Sequence, residues 1–149
     1  MILKATIQED AIAKEILKLQ KRAYKVEAEL IGFNGIPPLH ETLEQLQQSN
    51  EVFFVYMEGE VISGAIAIEY NHTCIHISRV MVDPSSFRKG IARTLLTHVE
   101  EQTEEGVPLL VSTGSRNFPA IRLYTSMGYE RIGTKDIEEG LSLVLLRKQ

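Results

Sequence analysis

Three apolar runs rich in β-branched and aromatic residues follow one another almost without a break: VFFVYM at 52–57, VISGAIAIEY at 61–70, and Thr73 to Val82. Runs of this kind bounded by turn formers read as strands. The Glu58-Gly59 link between the first two is short enough to read as a tight hairpin. Strands placed so close together commit the middle of the chain to a sheet, and the flanking segments have to cover it. ILKATI at 2–7 reads as a further short strand. From Ala11 to Ile31 the residues Ile12, Ile16, Leu19, Ala23, Val26 and Leu30 recur at three- and four-residue steps, the mark of one long amphipathic helix ended by Gly32. The loop GFNGIPP leads into a shorter helix over His40 to Gln48, with Leu43 and Leu46 inward. After the third strand come a helix from about Gly90 to Glu104, a buried strand VPLLVST at 107–113, and a helix from Asn117 to Met127. Two last strands surround Asp136-Ile137-Glu138-Glu139. The order β-αα-βββ-α-β-α-ββ predicts an α+β domain over 1–149, with a mixed sheet of about seven strands and helices on both faces.

Charge and composition narrow the function. With 16 Lys+Arg against 20 Asp+Glu the net charge is -4, so no general basic field invites nucleic acid or an anionic membrane surface. No apolar run approaches the ~20 residues a membrane span needs, and the first residues show no signal-peptide pattern. The single cysteine, Cys74, excludes an internal disulfide and any multi-cysteine metal site; no metal is expected, and a reducing cytoplasm fits.

Against that acidic background RVMVDPSSFRKGIARTLLTHVE, Arg79 to Glu100, carries a basic turn between a strand and a helix. A helix N-terminus offers unpaired amides and a partial positive charge, and small residues such as Gly90 and Ala92 let a phosphate or carboxylate approach them. Arg88 and Lys89 add charge from outside. The turn is neither a nucleotide P-loop nor a dinucleotide fingerprint, since both glycine patterns are absent. Taken alone it is as much an ordinary turn as an anion site. In NFPAIRLYTSMGYE, Asn117 suits an N-cap, Pro119 the first turn, and Gly128 the C-terminal cap, while Ala120, Leu123, Tyr124 and Met127 share a face. A plain cap and a core tyrosine satisfy the same spacing.

Together, V-x-V-D-P followed by R-K-G-I-A-R, and N-x-x-A-x-x-L-Y-x-x-x-G-[FY] after the next strand, resemble the GNAT superfamily of acetyl-CoA-dependent N-acetyltransferases, whose element order also matches over nearly the whole chain. The resemblance implies a mostly antiparallel GNAT-like sheet. It implies that Val80, Met81 and Val82 present backbone groups to the pantetheine arm, and that Arg88, Lys89, Gly90, Ile91, Ala92 and Arg93 wrap the pyrophosphate of coenzyme A. Asn117 would contact the pantetheine and Tyr124 would sit beside the thioester sulfur. Two positions depart from the pattern. Phe87 replaces a polar phosphate contact, and Ser112 stands where one branch has a glutamate base.

Acetyl transfer to an amine needs a neutral nucleophile, a donor for the developing oxyanion and a proton for the departing thiolate. Tyr124 is the proton donor expected on this resemblance, and an amide of residues 80–82 polarises the thioester oxygen. For the base, alternation along the third strand puts Ile75 and Ile77 on one face and His72, Cys74, His76 and Ser78 on the other. That polar series suggests a face opening on a cleft, although an exposed strand face would look the same. His76 falls six residues before Val82, where the histone-acetylating branch of the resembled family has its glutamate, and Glu69 is the reserve. The loop between the first helices offers Phe33, Asn34, Ile36 and Pro37 as acceptor contacts, with Tyr24 and Glu29 from the first helix. The expectation is an N-acetyltransferase using acetyl-CoA as co-substrate and a primary amine of a small molecule or protein, by direct attack in a ternary complex. The alternative is a catalytically idle acetyl-CoA-binding domain acting as sensor or scaffold; a homodimer is compatible with either.

Overall fold

The computed structural model describes residues 1–149. Seven strands, β1 (Ile2–Ala5), β2 (Val52–Glu58), β3 (Val61–Tyr70), β4 (Ile75–Val82), β5 (Leu109–Gly114), β6 (Glu130–Glu138) and β7 (Leu141–Lys148), form one sheet in the order β1-β2-β3-β4-β5-β7-β6. Only β4 and β5 run parallel. The chain between them forms the crossover helix α4 (Ile91–Gln102), as a parallel connection requires. The remaining helices are α1 (Asp10–Ile31), α2 (Pro37–His40), α3 (Leu43–Gln47) and α5 (Phe118–Ser126).

Alternation along the strands divides two cores. Phe53, Val55, Ala65 and Ala67 face Ile16, Leu19 and Leu46 of α1 and α3. Phe54, Ile66, Ile77, Val111 and Val144 face Ile91, Leu95, Leu96 and Val99 of α4 and Tyr124 of α5. The expected α+β sheet, mostly antiparallel with helices on both faces, is therefore the fold, and β4 and β5 lie at its centre.

Several boundaries differ from the sequence reading for physical reasons. The helix expected over His40 to Gln48 is broken. Glu41 is extended (φ -68, ψ 139) and Thr42 forms a capping box with Gln45, so α3 starts afresh. The third strand begins at Ile75 rather than Thr73, because Asn71 Oδ1 accepts from the amides of Thr73 and Cys74 and holds a turn. That turn leaves His72 exposed and Cys74 buried, so the polar face expected from His72 to Ser78 is not continuous. Asp136 to Glu138 belong to β6, and the hairpin turns only at Glu139 and Gly140, whose φ is +86°.

In β4 the ladder to β3 jumps from Ala67↔Arg79 to Ile68↔Ile77, so Ser78 is an extra residue, a β-bulge. Its hydroxyl donates to Ala67 O at 3.1 Å and to Glu51. Beyond the bulge the alternation is offset. Ile75 and Ile77 point to the α4 side, whereas Arg79 packs over the Phe53 ring and Met81 joins the α1 core.

Candidate active site

The centre of the sheet is split. β4 and β5 pair only over Ile75↔Leu109, His76↔Leu110 and Ile77↔Val111. Past that point β4 continues to Val82 held by β3 alone, and β5 continues to Gly114 held by β7 alone. The inner edges of 78–82 and 112–114 thus carry backbone groups with no strand partner, which an extended ligand inserted between them can satisfy. Met81 is buried on the α1 side, while Val80 and Val82 are half-buried. Backbone, not side chain, is what this stretch offers.

The split opens toward the basic turn. Asp83 caps a short 3-10 turn over Pro84–Ser86 by accepting from the Ser85 amide at 3.0 Å, and Arg22 of α1 donates to the same carboxylate at 2.8 Å. Arg88 is the one non-glycine residue with positive φ, +68°, and Gly90 follows at +75°. A side chain in that region costs about 1–3 kcal/mol unless surroundings or a ligand require it. Gly90 precedes α4 with no side chain capping the helix, so the first amides of α4 face outward unclaimed. A Cβ built on Gly90 meets nothing within 4 Å, so there is room for an anion. Arg88 has no partner, whereas Lys89 Nζ is held by Glu58 Oε2 at 3.0 Å and Arg93 donates to Ser126 Oγ at 2.9 Å, tying α4 to α5. The Ser86 hydroxyl and the Lys89 ammonium hold the Glu58 carboxyl below the usual range. Phe87 is exposed and contributes no polar group.

On the other bank, Asn117 is the expected cap of α5, accepting from the Ala120 amide at 3.3 Å. Its amide group donates to Thr113 Oγ1 at 3.2 Å and to Glu27 Oε1 at 3.0 Å. Thr113 donates to the same Glu27 oxygen at 3.0 Å. Tyr124 is buried at 5 % exposure beside Tyr129, with ring centroids 5.9 Å apart. Tyr129 donates to Glu100 Oε2 at 2.7 Å, whereas the Tyr124 hydroxyl has no partner in the chain. Burial, reinforced by the Glu27 charge, raises the Tyr124 pKa well above that of a free phenol. Tyr24 of α1 is raised in the same way by burial, by Glu27 and by Tyr124. The Glu27 charge thus acts on both phenols near where the sheet parts.

Below this lies a buried ionic knot. Arg79 donates to Glu51 (Nε to Oε2 2.8 Å, Nη2 to Oε1 2.7 Å), to both oxygens of Glu41, and to Gln20 Oε1 at 2.7 Å. It ties α1, the α2–α3 junction, the start of β2 and the β4 bulge together.

Expected site residues are thus distributed unevenly. Asn117 bonds Glu27, whose charge acts on both Tyr124 and Tyr24, and the basic turn lies at the mouth of the split. His76 stands in the paired stretch of β4 and β5, half-buried beside Leu110, Ser112 and Ile132 in a pocket of about 160 Å³. No hydrogen bond or ring contact joins it to Tyr124. Glu69 is exposed and lies opposite His76 in the β3–β4 ladder. Ile36, expected as an acceptor contact, is buried with Ala28, Ile31 and Leu141. Phe33 packs beside the same cluster, and the exposed Asn34 gives its carbonyl to His40 Nε2 at 2.7 Å. Next to them Arg116, Asp136, Glu138 and Glu139 line a groove of about 530 Å³. Glu27 and Arg79 escaped the sequence reading. The signal for Glu27 was its place on the same face as Ala23, Tyr24, Ala28 and Ile31, where helical periodicity calls for an apolar residue.

A mixed sheet parted between its parallel strands, with a basic turn leading into the next helix, is the arrangement that the resemblance of its motifs to acetyl-CoA-dependent acetyltransferases implies. The match to known proteins agrees. Residues 23–149 fit the family model described as acetyltransferase (GNAT) domain, and the chain belongs to that family. It is 40% identical over 136 residues to UPF0157 protein YqkA of Bacillus subtilis (strain 168), a match covering 91% of this chain and 40% of that protein. The chain thus spans about two fifths of that relative. Among solved structures it resembles PaiA N-acetyltransferase from Thermoplasma acidophilum in complex with coenzyme A, with TM-score 0.76, 16% identity, and coverage of 97% and 96% of the two chains. It also resembles the ribosomal-protein-S18-alanine N-acetyltransferase from Escherichia coli, with TM-score 0.74, 18% identity, and coverage of 99% and 92%. At these identities the structural likeness shows the fold. No helix is long and apolar enough to cross a membrane.

Proposed function

We propose that this chain transfers an acetyl group from acetyl-CoA to a primary amine by direct attack in a ternary complex. The observation that carries the reading is Tyr124, whose side chain is buried while its hydroxyl, without a partner in the chain, stays open at the sheet split. Almost every buried side-chain polar atom of the chain is satisfied, so an accessible, unpartnered hydroxyl at the end of a buried ring and beside an open strand edge is available to a ligand atom, here the thioester sulfur. The pyrophosphate of coenzyme A lies against the unclaimed amides of Gly90, Ile91, Ala92 and Arg93, with Arg88 and Lys89 alongside. The pantetheine arm takes the free edge of Val80, Met81 and Val82 and the Asn117 side. An amide of that edge polarises the thioester oxygen. A structure of the same fold was solved in complex with coenzyme A, which supports that ligand for this fold.

In the reaction the amine nitrogen attacks the carbonyl carbon, the C–S bond breaks, and the thiolate takes a proton from Tyr124. A thiol of pKa about 8.5 leaves readily and a buried phenol is the weaker acid, so this donation is a partial aid. Tyr124→Phe is expected to lower kcat about 10- to 100-fold while coenzyme affinity stays put, read by thiol release and calorimetry. Unchanged kcat refutes the role. The sensor alternative requires tight coenzyme binding with no thiol release for any amine. For the amine proton, His76 with Glu69 in reserve is a proposal that places the acceptor at the paired end of β4, away from Tyr124.

A further inference from the structure

Resting on this transferase reading, we propose that Glu27 is the acceptor-side catalytic residue, receiving the ammonium group of a cationic primary amine and taking up its proton. Of the carboxylates around the split, Glu41 and Glu51 are both engaged by Arg79. Glu27 has no cationic partner. Its Oε1 accepts from two neutral donors, Thr113 Oγ1 and Asn117 Nδ2, each at 3.0 Å, and its Oε2 has no partner. The free oxygen is not sealed off by the fold, so a cationic group can reach it and pair with a carboxylate that neutral donors hold in place.

Position and field agree with this role. Glu27 shares the Asn117 hydrogen-bond group at the open end of the split and is close enough to Tyr24 and Tyr124 to act on both phenols. Of the other charged groups nearby, Arg79 on β4 and Glu51 ahead of β2 act on the neighbouring Tyr24, and neither is bonded to Glu27. One helical turn further along α1, Ile31 lines the groove that holds Asp136, Glu138 and Glu139 against Arg116. This adjoining groove carries an excess of carboxylate over guanidinium, which favours a positively charged acceptor.

The step balances. R–NH₃⁺ gives one proton to the Glu27 carboxylate. The freed nitrogen lone pair forms the C–N bond at the thioester carbon, and the C–S bond breaks. The thiolate gains a proton from Tyr124, which recovers one from the acylated nitrogen. Glu27 then releases its proton to solvent, leaving the amide, coenzyme A thiol and H⁺.

The test is thiol release from acetyl-CoA with cadaverine, phenethylamine and an amidated dipeptide, between pH 6 and 10, for wild type and Glu27→Gln. Glutamine keeps an oxygen for Thr113 and Asn117. We expect kcat/KM at pH 7 to fall about 100-fold or more with cadaverine and phenethylamine, with the deficit closing as pH nears the amine pKa, about 10 for these two and about 8 for the dipeptide. Coenzyme affinity and melting temperature are expected to stay near wild type. Activity retained at all pH values overturns the assignment. So does a pH-independent loss, a matching loss of coenzyme affinity, or a change of pH profile found in His76→Ala instead. If Glu27→Gln does not fold, Glu27→Asp carries the test: about tenfold slower transfer with coenzyme bound normally supports the role, and full activity overturns it. Wild type that binds coenzyme yet releases no thiol with any amine sinks the transferase reading itself, and the Glu27 role with it.

Discussion

Arg79→Met tests whether the ionic knot, rather than apolar packing alone, sets the geometry of the split. The guanidinium is 9% exposed, against 16% for Glu41 and 8% for Glu51. Burial opposes its charge, but the hydrogen bonds it donates to Glu51 and Glu41 prevail and raise its pKa, so it stays a cation. Methionine fills much of the volume and packs on Phe53, so the loss is mainly electrostatic. Removing one member of a buried ion pair and leaving the other costs about 3–5 kcal/mol. For a chain of this size each kcal/mol moves the midpoint by about 2–4 °C, so the melting temperature should fall by about 6–20 °C at pH 7. The pH dependence gives a second readout. In the native protein burial pushes the Glu41 carboxyl up, but hydrogen bonds from Arg79 and Gln20 outweigh it and hold the pKa below the usual range. Its stabilisation is therefore present above pH about 4.5 and lost as pH falls through the folded value. In the variant the orphaned carboxylates bind a proton more tightly than the unfolded chain does, so stability is lost as pH rises. Melting by circular dichroism should show the largest deficit at neutral pH and a much smaller one near pH 4.5. A deficit under about 1 kcal/mol, or one that does not change with pH, would refute the argument.

Two further outcomes concern the coenzyme turn. Gly90→Val leaves the core untouched, since its Cβ points into open space, but it strains a φ of +75° and fills the anion's place. Coenzyme affinity should fall about 100-fold or more with a melting loss of only about 1–2 kcal/mol, measured by calorimetry and thermal scanning; unaltered affinity would remove the amide cradle from the site. Glu58→Gln releases Lys89 from its ion pair, so coenzyme should bind about two- to fivefold tighter at low salt, with the gain vanishing at high salt. A gain that persists in high salt would point to some cause other than charge.

What the chain announced in advance was local. Periodicity marked α1, α4 and the central strands, because a helix or strand face must bury its apolar residues wherever it docks. Gly32, Asn117 and Gly90 could be placed because caps and left-handed turns restrict which residues fit. The two motifs that flank β5 identified the coenzyme side by resemblance. Boundaries moved where side chains from distant segments intervened. Glu41 broke a helix because Arg79 reaches it from β4, and Asn71 delayed a strand by claiming its first amides.

The acceptor side belongs to tertiary structure. His76 stood out in the sequence through strict alternation, but the Ser78 bulge shifted the register and the pairing of β4 with β5 enclosed that end of the strand. Glu27 looked like one acid among many on a long helix. Its distinction, a carboxylate that has no cationic partner and acts on two tyrosines, arises only when residues 24, 27, 113, 117 and 124 are folded together. Sequence patterns record what neighbours along the chain require of one another. The energy of an unpaired charge depends on what surrounds it in space, and only the packed structure sets that.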